Sequence, residues 1–259
     1  MNTRTIDVEK CVGCGLCVED CFNNYLLLKE NSEGRRTASF KERGRCMECG
    51  HCNAICPQGA ISGGKSINNL AFDDTLLRLM AYKRTVRRYI KGAEIEKDIL
   101  EKILVAAQTA PTAGNRKSGR ILLIKERLPE VYNKALDSLV SIVKKDGPIN
   151  PIYAATMNFD SKREEILWNA EYMVIFVGTP SNIIDASISA ERMQLEASKY
   201  NIGTAYRGDL KTGINESEEV KELLGMRKND IALVVFAMGK ASRNYFKPAI
   251  KENRKVELL

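Results

Sequence analysis

Eight cysteines are the residues of this 259-residue chain whose type and spacing most directly indicate chemistry. All lie between Cys11 and Cys56, and the rest of the chain contains none. A secreted scaffold would spread its cysteines for disulfides, whereas thiolates packed this closely are typical metal ligands in a reducing cytosol. The cysteines form two copies of the spacing C-x2-C-x2-C-x3-C, namely Cys11, Cys14, Cys17 and Cys21, then Cys46, Cys49, Cys52 and Cys56.

The repeated spacing is that of bacterial ferredoxins, in which the fourth cysteine of each run binds the other of two clusters. The main alternative is a pair of structural zinc sites, but these normally use cysteine pairs that are well separated in sequence. One departure is Phe22, which follows Cys21 where ferredoxins often have proline. We therefore predict two [4Fe–4S] clusters, one on Cys11, Cys14, Cys17 and Cys56 and the other on Cys21, Cys46, Cys49 and Cys52.

His51, the only histidine of the sequence, lies between two of these cysteines. It could adjust a cluster potential through a hydrogen bond, or it could be a surface residue of the cysteine loop. Because the sequence has no second histidine, we expect no mechanism built on a histidine base or a Ser-His-Asp triad. No side chain is singled out as a catalytic acid or base.

The net charge of +7 does not by itself indicate a nucleic-acid partner. Eight thiolates and two oxidised cluster cores, formally +2 each, lower it to about +3. The remaining basicity suits an anionic cofactor or an acidic electron-transfer partner. No apolar run reaches the roughly 18 residues of a membrane span, and the first residues lack the apolar core of a secretion signal. We expect a cytoplasmic protein that contacts neither membrane nor nucleic acid.

A turn-like stretch from Ser62 to Ser66 separates the cysteines from the rest of the chain. We place a domain boundary there, giving domains 1–66 and 67–259. The second domain alternates helical and apolar strand-like segments, which indicates a layered sheet-and-helix domain. Helices are predicted over Asp73–Tyr82, Glu94–Gln108 and Asp185–Tyr200, and strands over Arg120–Ile124, Tyr172–Val177 and Ile231–Met238.

Three segments of the second domain suggest a flavin. The first runs from Tyr82 to Tyr89 and combines cations with a hydroxyl, groups that bind phosphate; a solvated basic helix end or a nucleic-acid patch is the alternative. The second, Ala110–Asn115, ends in an amide that suits the polar edge of a flavin ring, or is an ordinary loop. The third, Asn201–Leu210, has glycines that permit close backbone approach or a helix stop and turn.

Together, in this order and spacing, the three segments resemble the nitroreductase family of FMN proteins. The resemblance covers roughly Asp73 to the C-terminus. Its signature R-R-S-x-R-x-F corresponds to residues 83–89, and its A-P-S-x-x-N motif corresponds to Ala110–Asn115. The resemblance implies FMN contacts from Lys83, Arg84, Thr85, Arg87, Asn115, Gly208, Asp209 and Arg254.

Several positions depart from the family pattern. Lys83 stands where arginine is usual, which keeps the charge but changes the geometry. Residues 116–118 replace a frequent x-Gln-Pro, and Asp209 replaces a frequent glycine. Family members are typically homodimers with two flavins at the subunit interface, and we expect the same here. The implied fold is α+β, with a small ferredoxin-like 2[4Fe–4S] domain followed by a nitroreductase-like three-layer α/β/α domain.

The two modules predict an iron–sulfur flavoprotein oxidoreductase. Electrons would pass between the clusters and FMN and reduce a small acceptor such as a nitro compound, a quinone or an activated double bond. A soluble ferredoxin or NAD(P)H is the expected donor. Two alternatives stay open at this point: electron transfer from NAD(P)H to a ferredoxin-type carrier in the reverse direction, and a non-enzymatic redox carrier or sensor.

Overall fold

The computed structural model describes residues 4–32, 34–43, 46, 48–63, 75–146, 166–248 and 257–258. Its contacts divide the chain into a cysteine-rich unit, residues 1–83 and 243–259, and a sheet unit, residues 84–242. The C-terminal residues therefore return to the unit in which the chain begins. The predicted boundary after residue 66 falls within 64–74, outside the described residues, and stays a prediction.

Two short antiparallel strand pairs frame the cysteine-rich unit. Strand β1 (Arg4–Ile6) pairs with β4 (Ile61–Gly63), and β2 (Leu26–Glu30) pairs with β3 (Arg36–Phe40). Helices α1 (Leu16–Glu19) and α2 (His51–Ile55) each carry one cysteine of a repeat. Helix α3 (Thr75–Tyr82) also belongs to this unit. The apolar core contains Leu26, Ala38, Ile55, Ala60 and Ile61 together with buried cysteines.

The sequence repeat is also a repeat of backbone conformation. Gly15 before α1 and Gly50 before α2 are both left-handed, with φ of 79° and 75°. The equivalent positions two residues earlier, Gly13 and Glu48, are left-handed as well, with φ of 65° and 53°. A Cβ on Gly13 would lie 2.4 Å from the carbonyl oxygen of Arg36, so the first copy requires glycine there. The second copy accepts Glu48.

The sheet unit is built on four antiparallel strands in the order β5-β6-β8-β7. These strands are β5 (Arg120–Ile124), β6 (Tyr172–Gly178), β7 (Ile202–Tyr206) and β8 (Ile231–Lys240). Strand β6 is buried along its whole length and β8 everywhere except at its two end residues, which fits a sheet covered on both faces. The helices are α4 (Lys97–Gln108), α5 (Leu128–Asp146), α6 (Ile183–Ser198), α7 (Gly208–Asn215) and α8 (Glu218–Leu223), with 3-10 turns at Ala113–Asn115, Ile166–Asn169 and Pro180–Asn182.

The predicted mixture of helix and sheet is confirmed, and the strand predicted over Arg120–Ile124 has those bounds in the structure. The predicted strands near Tyr172 and Ile231 and the helices near Glu94 and Asp185 are also present, with ends shifted by one to three residues. Part of the helix predicted from Asp73 lies outside the described residues. Within the described part of the chain, no helix is long and apolar enough to cross a membrane.

The sequence left open whether the glycines of Asn201–Leu210 allow close backbone approach or form a helix stop and turn; the structure has an edge strand and the start of a helix there. Residues 202–206 form the edge strand β7, and α7 begins at Gly208. Gly203 lies inside the strand, where its missing side chain makes room for Val86. The sequence prediction also passed over α5, whose polar face hides a stripe of buried apolar residues that includes Val131, Leu136 and Leu139.

Candidate cofactor sites

The structure gathers the eight cysteines into two groups of four. Group A, defined as Cys11, Cys14, Cys17 and Cys56, lines one small cavity whose walls also include Leu28 and Ala38. Group B is defined as Cys21, Cys46, Cys49 and Cys52. Cys21 and Cys46 lie close enough to Cys49 to affect its pKa, and Cys21 and Cys49 likewise affect the pKa of Cys52. Each group takes its fourth cysteine from the other sequence repeat, which matches the predicted ligand sets; ligation itself stays a prediction.

Sulfur atoms of both groups accept backbone hydrogen bonds. In group A, the N–H of Ala38 bonds Cys11 Sγ at 3.3 Å and that of Ala60 bonds Cys56 Sγ at 3.3 Å. In group B, Tyr25 donates to Cys21 Sγ at 3.2 Å. Glu48 donates to Cys46 Sγ at 3.3 Å. Donors aimed at sulfur stabilise thiolate rather than thiol, which suits a bound iron–sulfur cluster.

Burial makes free thiolates unfavourable in both groups. Together with the charges of the neighbouring cysteines, it raises the pKa of Cys17 to about 12. Burial also raises the pKa of Cys52 to about 12, although the positive charge of Arg4 opposes the shift. Iron–sulfur ligation requires thiolates, so cluster binding must release protons from these groups. No three His, Cys, Asp or Glu side chains of the described residues converge closely enough for a single metal ion.

Arg4 is a buried cation beside group B that the sequence analysis did not single out. It lies on β1, is 5 % exposed and donates from one terminal nitrogen to Cys46 Sγ at 3.4 Å. The other terminal nitrogen bonds the carbonyl oxygen of Glu48 at 2.7 Å. Its pairing with Gly63 on β4 fixes the strand, and hence the side chain, against the second cysteine repeat. Nothing in the local pattern around Arg4 marks it, because the contact is distant in sequence.

His51 is buried at 9 % exposure, so the interpretation as a surface residue is wrong. Its Nδ1 lies 3.2 Å from Asp20 Oδ2. The hydroxyl of Tyr245 donates to Asp20 Oδ1 at 3.2 Å, and its ring meets the imidazole edge-on at 5.5 Å. The backbone N–H of Phe246 also bonds the carbonyl oxygen of Ala54. These contacts attach segment 243–248 to α2 and to Asp20, the residue that directly follows α1.

The basic segment predicted to bind phosphate lies along the edge strand β7. Thr85 forms a parallel bridge with Thr204, and the N–H of Val86 bonds the Thr204 carbonyl oxygen at 2.9 Å. Arg84 is buried at 8 % exposure. The Thr204 hydroxyl in turn donates to the buried Gln194 of α6 at 2.9 Å. The segment is therefore held by the sheet and is not a loose basic helix end.

Gly208 and Asp209 follow the same strand and form the first turn of α7. The first N–H groups of a helix have no intrahelical acceptor, so those of Gly208 and Asp209 can donate to a ligand. Gly208 is exposed. The structure thus brings Arg84, Thr85, Gly208 and Asp209 to one edge of the sheet. Arg87 lies there as well, because it directly follows Val86, whose N–H bonds the carbonyl oxygen of Thr204 on β7.

Arg207 is a second residue that the sequence analysis did not single out. It is buried and forms two hydrogen bonds to the carboxylate of Asp209, at 2.8 Å and 2.5 Å. Its guanidinium lies over the ring of Trp168 at 4.8 Å and that of Tyr132 at 5.7 Å. Burial works against the charge of Arg207, but the Asp209 carboxylate outweighs it and raises the pKa. The opposite charges on either side of Gly208 were the available sequence signal.

Asn115 lies near the other edge of the sheet. Its turn precedes β5, and the N–H of Ala113 in this turn lies 3.4 Å from Asp185 Oδ2 on α6. Because β5 and β7 are the two outer strands, three inter-strand spacings, about 14 Å, separate them. A cavity of about 350 Å³ adjoins the turn and is lined by residues that include Thr112, Lys117 and Phe176. One chain therefore does not bring Asn115 to the Thr85 edge.

Lys83 is the last residue that contacts assign to the cysteine-rich unit, and Arg84 is the first of the sheet unit. Arg254 lies outside the described residues.

Residues 80–240 match the model of the nitroreductase family, which is more than half of the chain. The chain belongs to the nitroreductase family. Residues 10–60 of this nitroreductase-family protein also match the model of a 4Fe-4S dicluster domain. An uncharacterised ferredoxin of Methanocaldococcus jannaschii is 36% identical over 56 residues, which is 22% of this chain and 70% of that protein. FMN and two [4Fe–4S] clusters, the predicted cofactors, are those of these two families.

Solved structures agree on the fold of the nitroreductase domain. A nitroreductase with bound FMN from Desulfitobacterium hafniense DCB-2 has a TM-score of 0.56 and is 18% identical; 72% of this chain and 98% of that chain are covered. A nitroreductase from Bacteroides fragilis NCTC 9343, also with bound FMN, has a TM-score of 0.53 and is 19% identical; 71% of this chain and 95% of that chain are covered. An FMN-dependent nitroreductase from Clostridium difficile R20291 has a TM-score of 0.55 and is 14% identical; 72% of this chain and 100% of that chain are covered. The prediction of an FMN-dependent oxidoreductase is confirmed by family membership.

Proposed function

We propose that this protein carries electrons between two [4Fe–4S] clusters and FMN and delivers them to a small acceptor. The observation that carries the proposal is the assembly, in one chain, of two four-cysteine groups and a cationic sheet edge. When bound, the clusters exchange single electrons and FMN transfers electron pairs as hydride equivalents. Nitro compounds, quinones and activated double bonds are the proposed acceptors. A soluble ferredoxin or NAD(P)H is the proposed donor.

Groups A and B are the proposed cluster ligands. Both have four sulfurs, backbone N–H donors directed at sulfur, and a surrounding shell of buried apolar side chains. Each feature fits a cluster with cysteine ligands. One cysteine of each group, Cys14 and Cys49, is exposed. On the buried side the apolar shell limits water access, which affects the reduction potential as well as the lifetime of a cluster.

The flavin side of the proposal concerns the edge of the sheet. Lys83, Arg84 and Arg87 supply positive charge, and Thr85 supplies a hydroxyl, for the phosphate and the pyrimidine side of FMN. The N–H groups of Gly208 and Asp209, at the start of α7, would donate to the flavin ring. The Arg207–Asp209 pair holds the start of α7 in place. Arg254 is proposed as a further phosphate contact.

We also propose a homodimer that binds two flavins at its interface. Asn115 is one of the proposed flavin contacts, yet its turn adjoins β5 while Thr85 lies beside β7. A flavin bound at the Thr85 edge would meet an Asn115 supplied by a second copy of the chain. The domains 1–66 and 67–259 and a cytoplasmic location complete the proposal.

Anaerobic reductive titration of the purified full-length protein tests this function. Iron, sulfide and flavin are counted first, and absorbance is then followed as reduced ferredoxin, NADH or NADPH is added. We expect one flavin and eight irons per chain, with flavin bleaching that depends on the clusters. A protein without flavin would refute the proposal, and flavin reduced by NAD(P)H with onward transfer to oxidised ferredoxin would favour the reverse direction.

Matched variants separate the two halves of the proposal. Cys14→Ala and Cys49→Ala should each reduce the iron content while flavin remains bound. Arg87→Gln should reduce flavin content at normal iron content. Arg88→Gln is the control, since Arg88 is the exposed neighbour in the same segment and is not a proposed flavin contact. Equal flavin loss in Arg87→Gln and Arg88→Gln would contradict the specific role of Arg87.

A further inference from the structure

Backbone hydrogen bonds reach sulfurs of both cysteine groups. Ala38 and Ala60 donate to sulfurs of group A, and Tyr25 and Glu48 donate to sulfurs of group B, all between 3.2 and 3.3 Å. Two of the donors also occupy equivalent positions, because Ala60 and Tyr25 each follow the cysteine that accepts the bond by four residues. Backbone donation to sulfur is therefore common to the two proposed clusters.

Arg4 breaks this symmetry. Its guanidinium donates to Cys46 Sγ at 3.4 Å and to the Glu48 carbonyl oxygen at 2.7 Å. In the first repeat, the position that corresponds to Glu48 is Gly13, which packs against the backbone of Arg36. Arg4 thus donates directly to one sulfur of group B.

Group A has no comparable buried cation among the described residues. The arginine beside it, Arg35, directs one terminal nitrogen to three backbone carbonyl oxygens, those of Val8, Glu9 and Cys11, at 2.8 Å, 3.0 Å and 3.5 Å. Its side chain is 44% exposed and forms an ion pair with Glu9 at 3.5 Å. Water and the carboxylate both weaken the field of Arg35 at the sulfurs. The effect of a charge is larger for a buried group such as Arg4.

We propose that Arg4 raises the reduction potential of the cluster at group B above that of the cluster at group A. The inference rests on the proposed ligand sets. One electron leaves the cluster at group A, which is oxidised, and enters the cluster at group B, which is reduced; no proton is transferred. The reduced cluster carries one additional negative charge, which the buried guanidinium stabilises. Group B is then where an electron resides when one is shared by the pair.

Two acidic residues adjoin group B, namely Glu48, which is exposed, and Asp20, and their charges act in the opposite direction to that of Arg4. Asp20 precedes Cys21, and a carboxylate favours the oxidised cluster. Its oxygens, however, lie 3.2 Å from His51 Nδ1 and 3.2 Å from the Tyr245 hydroxyl. These partners offset part of its charge, whereas Arg4 donates directly to a sulfur of the group. We expect the effect of Arg4 to dominate.

An anaerobic potentiometric titration of the full-length holoprotein, monitored by EPR, tests the inference. Dithionite supplies the electrons, and the two cluster signals are assigned with Cys14→Ser and Cys49→Ser. We expect the signal with the higher midpoint to change in Cys49→Ser and the signal with the lower midpoint to change in Cys14→Ser. The opposite assignment would overturn the inference.

Substitution of Arg4 then tests the cause. Arg4→Gln should shift the electron distribution towards group A about tenfold, which corresponds to a fall of 59 mV in the group B midpoint. Arg4→Lys keeps the charge and should restore most of the loss, and Arg35→Gln, the control, should leave both midpoints unchanged. An unchanged group B midpoint in Arg4→Gln with full iron content would overturn the inference.

The design also separates this inference from the proposed function. A wild-type protein with fewer than two cluster signals would overturn both. Two intact clusters whose order is reversed, or whose midpoints do not depend on Arg4, would overturn only the role of Arg4. If Arg4→Gln does not retain both clusters, the inference is decided by Cys14→Ser and Cys49→Ser in the protein with Arg4 unchanged. These variants show which cluster has the higher midpoint.

Discussion

A Cβ atom on Gly203 would lie 2.5 Å from the Cβ of Val86, so β7 and the basic segment meet at a distance that requires glycine. The Val86 methyl groups would be almost as close, at 2.6 Å and 2.8 Å. No rotamer of Val86 can relieve the overlap, because its Cβ belongs to the contact. Gly203 thereby determines where Arg84, Thr85 and Arg87 lie relative to the sheet.

Gly203→Ala should weaken FMN binding about tenfold at an unchanged iron content. The added methyl group displaces Val86, and overpacking of this kind costs about 1–3 kcal/mol. Equilibrium dialysis or fluorescence of released flavin measures the change. The double variant Gly203→Ala/Val86→Gly removes the overlapping side chain and should recover part of the affinity. If Gly203→Ala binds FMN as tightly as the wild type does, the segment is not positioned by this contact.

The Arg207–Asp209 ion pair should be costly to break from one side. Asp209→Ala leaves the buried guanidinium without its carboxylate, and the expected loss in the free energy of unfolding is about 3–5 kcal/mol. Chemical denaturation followed by circular dichroism measures it. Arg207→Met/Asp209→Leu replaces both charges with apolar side chains and should be closer to the wild type than Asp209→Ala is.

The control for this pair is Asp98, which forms an exposed ion pair with Lys102 one helical turn away. Asp98→Ala should give no measurable change in stability, since water screens such surface pairs. Equal losses in Asp98→Ala and Asp209→Ala would contradict the importance of burial.

Mixed dimers should show whether two copies share each flavin site. Arg87→Gln and Asn115→Ala are expressed separately and then together with different affinity tags. If Arg87 and Asn115 of different copies meet at one flavin, the mixed dimer contains one intact site and one with both defects. We expect it to bind about half the flavin of the wild type, and each homodimer of a variant to bind less. Flavin no higher than in the weaker homodimer would indicate that each site is formed by one chain.

Tyr245→Ala should shorten the lifetime of the clusters without changing FMN affinity. The substitution removes hydrogen bonds to Asp20 and the edge-on contact with His51, together worth about 1–2 kcal/mol. Loss of the cluster absorbance in the presence of an iron chelator gives the rate. Phe246→Ala is the matched control, because this neighbour is 56% exposed and contacts Ala54 through its backbone N–H. Equal rates for the two variants would argue against a role for Tyr245.

Local patterns were sufficient for much of the fold. The cysteine spacing identifies the first unit because cluster ligands must converge within short loops. Strands such as Tyr172–Gly178 can be predicted because their sequence is a continuous apolar run. Helix α5 was overlooked because its polar residues obscure its buried stripe. Strand β7 was not predicted, because Gly203 inside it is explained only by Val86, a residue far away in sequence.

The candidate sites show the same limit. The motif residues Arg84, Thr85 and Gly208 could be named from the sequence because they belong to short segments with suggestive chemistry. Arg4 and Arg207 could not be named from the sequence, because the residues that they contact, Cys46 and Trp168, come close to them only in the folded chain. That Asn115 and Thr85 adjoin opposite edges likewise follows from strand order, which no motif specifies.

The attachment of segment 243–248 to the cysteine-rich unit has a consequence for biosynthesis. A ribosome makes this segment after the whole of the sheet unit, so the first unit to emerge is the last to acquire all of its contacts. Until Tyr245 is available, Asp20 and His51 lack a partner that the finished protein gives them. Clusters inserted into a nascent chain would therefore be held less firmly than those inserted after release, which favours maturation of the protein by a late, post-translational step.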